Sequence, residues 1–235
     1  MSTFRVPGLG TGQRRPTGTL VIVAVLVGTA LANMITSGVF AQFMALAAGP
    51  VAYGEVWRVV TYGLMASNGG ITGLFAMALN SLVLYMLGAQ LEATFGPWRT
   101  VGIYLTALLG GAALHVWLSP INIGVIGPSA GILAMFAVNA GIKLMQKEDI
   151  RGDAILIGIF LLLHLVSGGS WWAVLGGVLT GGIIGAGLAW RPPAPRDPWD
   201  RNRRRVQPGT RQNAIIAGVA VLALIVIALR VLQLR

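Results

Sequence analysis

The 235 residues are 55% hydrophobic and only 10% charged, with 33 glycines and a mean hydropathy of +0.76. That balance excludes a water-soluble domain of this size, and the apolar runs do not alternate with polar residues as β-barrel strands would. The net charge of +10 would suggest nucleic acid in a soluble protein, but here the position of the basic residues decides its meaning, and no nucleic-acid partner is expected.

Residues 1–16 are polar, with glycine and proline, and read as a short tail. A first apolar span covers 17–38. Arg14-Arg15, the run from Leu20 and Ala30-Leu31-Ala32 together imitate a cleavable signal peptide. A retained helix is the better reading, because the apolar run continues past the triplet and further spans follow. The segment from Val39 to Gly70 is amphipathic and carries Pro50, Glu55, Trp57, Arg58 and Tyr62, which places it in the membrane interface.

A bilayer core of about 30 Å needs roughly 20 apolar residues per helix. Further runs of that kind lie at 70–94, 98–118, 127–146, 153–168 and 171–190, the fifth span of the chain, 153–168, being short. A Pro- and Arg-rich linker at 191–212 then leads to a last segment, 213–235, whose apolar run covers 213–231. The expectation is an all-α polytopic membrane bundle: a tail at 1–16, a six-helix domain at 17–190, a basic linker at 191–212 and a seventh helix at 213–235.

With the N-terminus inside, every lysine and arginine falls on the inner side except Arg58, Arg230 and Arg235. The positive-inside rule therefore predicts a cytoplasmic N-terminus and linker, and an external C-terminus. The linker's arginines could also attract anionic lipid. No cysteine is present and only two histidines, so neither a thiolate nor a His-rich metal centre is expected. No cofactor is expected either. Glu55, Glu92, Glu148, Asp149, Asp153, Asp197 and Asp200 all fall in loops or at helix ends, which disfavours an ion or proton transporter.

Gly127-Pro128-Ser129-Ala130-Gly131 opens the fourth span, putting a serine hydroxyl among small residues near the outer end of a helix. Alone, that serine reads equally well as a helix cap. In the sixth span Gly177 and Gly181 recur one turn apart and allow close helix packing.

Read in order, several segments resemble the rhomboid family of intramembrane serine proteases. Trp57-Arg58 is similar to that family's Trp-Arg pair in its long first loop. Asn80, Gly88, Glu92 and Gly96 resemble its second span. Gly127-Pro128-Ser129 resembles its nucleophile turn, and Trp171 to Gly177 with Gly181 resembles its sixth span. The match runs from about residue 55 to 190.

The resemblance implies a six-plus-one bundle in a bacterial-type inner membrane, with Ser129 at the nucleophile position and Asn80 at the oxyanion position. One turn before Asn80 the family commonly has a second histidine, whereas here Ala76 stands. At the general-base position, in the register set by Gly177 and Gly181, the residue is Val174, and an isopropyl group cannot accept a proton. Loss of a triad member typically costs about 10⁴-fold in rate. The first reading is therefore a catalytically inactive protein that binds transmembrane helices or a membrane complex at the family's lateral gate, between the second and fifth spans. The alternative is an active endopeptidase in which Ser129 uses another base, with His164 the candidate and His115 the other histidine.

Overall fold

The computed structural model describes residues 15–65, 70–166, 171–190 and 208–235, and within them the side chains of all but 70–72, 163–164, 166 and 208. The tail expected at 1–16 and the linker at 191–212 lie largely outside the described residues.

The described residues form a helical bundle. Its helices are α1 (Thr17–Ile35), α2 (Val39–Met44), α3 (Ala48–Ala52), α4 (Arg58–Thr61), α5 (Gly70–Phe95), α6 (Pro97–Leu118), α7 (Ser129–Gln146), α8 (Arg151–Val166), α9 (Trp171–Ala189) and α10 (Pro208–Leu234). A single 3₁₀ turn, Tyr62–Leu64, follows α4. Among the described residues the sole β pairing is an isolated antiparallel bridge between Leu46 and Val125. In α1, α5, α6, α7, α9 and α10 the apolar run is long enough to cross a membrane. The segment expected as the fifth span, 153–168, is α8, whose 16 residues make about 24 Å of helix, short of a core of about 30 Å.

The connections follow local chemistry. Gly96 takes a left-handed φ of 85° and Pro97 opens α6, where its missing N–H costs nothing. Lys147 closes α7 in the αL conformation. Because long helices alternate in direction, the bundle has a basic end, bearing Arg99, Lys143, Lys147, Arg151 and Arg211, and a far end bearing α2–α4 and the loop 119–128.

At the basic end a carboxylate from α5 caps α1. Glu92 accepts bonds from the backbone N–H of Gly18 (3.1 Å) and Thr19 (2.8 Å) and from the hydroxyls of Thr19 (2.9 Å) and Thr17 (3.4 Å). The two N–H groups are orphan donors of the helix's first turn, and the negative charge also suits the helix dipole there. The close fit of α1 continues at Gly18, where a Cβ would lie 2.7 Å from the Pro97 carbonyl oxygen.

The last helix is fastened to the bundle at both ends. Arg99 donates to the Asn213 side chain (2.9 Å), and Arg211 donates to the carbonyls of Gly187 and Trp190 at the end of α9. At the far end Trp117 donates to the Val226 carbonyl (2.8 Å), Arg230 lies over the Trp117 ring, and Arg235 donates to the Ala52 carbonyl (2.9 Å).

Candidate functional site

The start of α7 is set by contacts from three directions. Gly127, at φ 130°, makes the turn that releases Pro128 and Ser129 into the helix, and its N–H donates to the Tyr62 carbonyl (2.9 Å). Two residues earlier Val125 exchanges backbone bonds with Leu46 (2.9 and 2.8 Å). His115, fully buried at the far end of α6, places Nε2 3.1 Å from the Ile123 carbonyl. The loop before the serine is thus held by the interfacial segment on one side and by α6 on the other.

Tyr62 and Tyr104 complete the frame. The Tyr62 hydroxyl donates to the Leu108 carbonyl (2.9 Å) and the Tyr104 hydroxyl to the Gly63 carbonyl (2.6 Å), both bonds being buried. Burial pushes the Tyr62 phenol well above its ordinary range, which keeps it a neutral donor. Gly131 must be small because a Cβ there would lie 2.3 Å from the Tyr104 ring.

Beneath the serine, α7 and α9 run in backbone contact. A Cβ on Gly177 would lie 2.4 Å from the Ala130 carbonyl oxygen, one on Gly181 2.2 Å from that of Ala134, and one on Gly185 2.1 Å from that of Val138. The offset between partners is constant and the repeat is four, so the two helices run parallel with their small faces matched turn for turn. Helix α6 joins them: a Cβ on Gly111 would meet the Ala173 carbonyl at 2.6 Å and the Tyr62 hydroxyl at 2.4 Å.

Ser129, next to Ala130, is half-buried, and among the described residues its hydroxyl has no hydrogen-bond partner. Val174, one turn outward from Gly177, is 1% exposed. Asn80 and Ala76 are half-buried on α5, and no hydrogen bond joins Asn80 to Ser129. The side chain of His164, the alternative base, lies outside the described residues.

Trp57 and Arg58 serve the interfacial segment. Arg58 pairs with Glu55 and donates to the carbonyls of Gln42 and Ala45 (both 2.6 Å), while Trp57 stacks on Phe43 at 5.5 Å. The buried guanidinium thereby satisfies the carbonyls that end α2. The sequence reading missed Tyr62 and Tyr104 as framing residues and the capping role of Glu92. Only Glu92 left a signal, as a lone carboxylate near the end of an apolar run.

A helical membrane-type bundle with a serine at the head of one helix and a glycine-faced helix packed against it defines the class. The Rhomboid domain family model matches residues 53–191, more than half of the chain. This chain belongs to the rhomboid family. It is similar to RHOMBOID-like protein 4 of Arabidopsis thaliana, 28% identical over 144 residues, which cover 59% of this chain and 35% of that protein. The match thus spans about a third of the relative's length.

Proposed function

We propose that this chain is a rhomboid-like membrane protein without protease activity, which binds transmembrane segments of other proteins, singly or in a membrane complex, at the opening between α5 and α8. The observation that carries the proposal is Val174. It stands in the general-base register that the resemblance sets, buried one turn from the Gly177–Ala130 contact, while the Ser129 hydroxyl, next to Ala130, has no hydrogen-bond partner among the described residues. A serine without a base stays protonated at neutral pH and is a poor nucleophile.

A fluorophosphonate probe tests this directly. Wild-type protein is expected to label no more than a Ser129→Ala control and to leave transmembrane model substrates uncut. Labelling that His164→Ala abolishes would make the chain a protease with a non-standard base. In Val174→His, labelling is expected to be weak, because the position of Ala76 still supplies no oxyanion donor and one such donor is worth about 10²–10³ in rate. Adding Ala76→His is expected to raise it.

For binding, the support is the separation of α5 from α8, which leaves Phe75, Leu79 and Leu82 on α5 and Ile155, Ile159 and Leu162 on α8 to face lipid or another helix. Mild-detergent isolation from native membranes, with photo-crosslinkers on α5 and α8, should recover a membrane protein joined to those two helices. Crosslinks equally frequent on α10 would remove the case for a specific opening.

The same proposal places the basic end on the cytoplasmic side of a bacterial-type plasma membrane and the C-terminus outside, on the strength of the basic-residue asymmetry. In right-side-out vesicles, external protease should leave the linker at 191–212 intact. Cleavage there would reverse the topology.

A further inference from the structure

The half of the bundle nearer the basic end contains a cavity of about 470 Å³ between α5, α7 and α8. That is within the roughly 300–1,000 Å³ of ordinary small-molecule sites. Its lining is graded along the helix axes. Nearest the end are Lys143, three residues or about 4.5 Å inside α7, and Asp153, in the first turn of α8. Gln90 and Asn139 come next, about 7.5 and 10 Å from the ends of their helices. Deeper still, about 14–18 Å in, the walls are Val83, Met86 and Phe136. Met86 is largely exposed, so the cavity opens sideways to the bilayer rather than only to water.

The polar groups form a site with capacity to spare. Lys143 Nζ donates to Asp153 Oδ2 at 2.6 Å, and the lysine side chain is 39% exposed, so some of its three donors remain available. The carboxamides of Gln90 and Asn139 have no hydrogen-bond partner among the described residues. Since the Lys143–Asp153 pair is neutral overall, a simple anion gains at the lysine what it loses at the aspartate. A head group with both signs gains at each. Its phosphate would meet Lys143 and the amides, its ammonium would meet Asp153, and its acyl chain would continue down the apolar wall. Lys143 and Asp153 sit within about 5 Å of the basic ends of their helices, where a lipid head group can reach them, and the amides lie one to two turns in from the ends of theirs.

We propose that this cavity binds a zwitterionic glycerophospholipid of the phosphoethanolamine type, drawn from the leaflet at the basic end. The site adjoins the α5–α8 opening proposed above for transmembrane segments, at its basic end, and its argument does not rest on that reading.

The test uses the full chain in nanodiscs of phosphatidylethanolamine and phosphatidylglycerol, doped with a photoactivatable phosphatidylethanolamine, with adducts mapped by peptide mass spectrometry. Adducts are expected to concentrate on α5 and the first half of α8 and to be competed by excess unlabelled phosphatidylethanolamine. Lys143→Gln with Asp153→Asn should lower their yield about fivefold, the effect of losing a charged contact at the interface. Met86→Trp, which fills the mouth from its exposed side, should lower it comparably. If the double variant does not fold, Met86→Trp alone decides. Adducts spread evenly over all exposed helices, or unchanged yields in the folded variants, would overturn the proposal. So would equal labelling by a phosphatidylglycerol probe, or competition by a transmembrane peptide but not by lipid.

Discussion

Between α7 and α9 the backbones touch, whereas between α5 and α8 there is a cavity. In the first pair, glycines on α9 meet main-chain carbonyls on α7 at three successive turns, and α6 enters the same contact through Gly111. In the second pair, bulky aliphatic and aromatic side chains project outward and α8 has few neighbours. The contrast has a physical origin. In lipid there is no hydrophobic drive to bring helices together, so close association depends on small residues that permit van der Waals contact. Large side chains such as Phe75 or Ile159 are equally well served by acyl chains. The glycine-faced trio can therefore hold the turn around Ser129 rigidly, while the α5–α8 wall is left with little to keep it closed.

The largest effect that would sharpen this comparison is expected at Gly181. Its Cβ in a Gly181→Ala variant would lie 2.2 Å from a backbone oxygen, which cannot swing aside as a side-chain tip can. Separating α7 from α9 should cost about 3 kcal/mol, read as a fall in the unfolding midpoint in detergent. A variant as stable as wild type would mean that the two helices are not in backbone contact.

A smaller loss is expected at Glu92, where the two sides of the comparison meet, since α5 belongs to the open wall but its end caps α1. Glu92→Ala removes the acceptor for four donors and should cost about 2 kcal/mol, whereas Glu92→Gln, which keeps one acceptor oxygen, should lose less. Amide exchange at Gly18 and Thr19 should accelerate in both variants, in that order. If exchange there is unchanged, α1 is capped by something other than this carboxylate.

These two sites also mark where the sequence was legible. Helix positions could be read because each apolar run must be long enough for the membrane and ends at a proline, glycine or charge. The span expected at 98–118 is α6 at Pro97–Leu118, and that at 171–190 is α9 at Trp171–Ala189. The four-residue spacing of Gly177 and Gly181 likewise announced a close helix contact. What it could not announce was the partner row, because Ala130, Ala134 and Val138 look like any small apolar residues until the two helices are laid side by side. Glu92 meets Thr19 across 73 residues of chain, with no local pattern to link them. The division of Val39 to Gly70 into three short helices and a 3₁₀ turn was hidden for a different reason. Those pieces are shaped by Arg58 reaching the carbonyls of Gln42 and Ala45, a tertiary effect on segments too short to have a periodicity.

The smallest expected effect, and the one opposite in sign, lies on α8. Gly158 is exposed in the middle of that helix, and a Cβ built there meets nothing within 4 Å. Alanine at such a position adds no clash and removes backbone freedom that glycine loses on folding, so Gly158→Ala should stabilise the helix by about 0.5–1 kcal/mol. The same substitution that breaks the α7–α9 contact at Gly181 should therefore slightly strengthen α8. If α8 owes its weak attachment to missing neighbours rather than to its own backbone, the gain should appear as slower amide exchange within α8 alone. Photo-crosslinking across the α5–α8 opening should stay at the wild-type level. A drop in that crosslinking would instead show that bending at Gly158 controls the opening, and would move the origin of the contrast from packing to the flexibility of one helix.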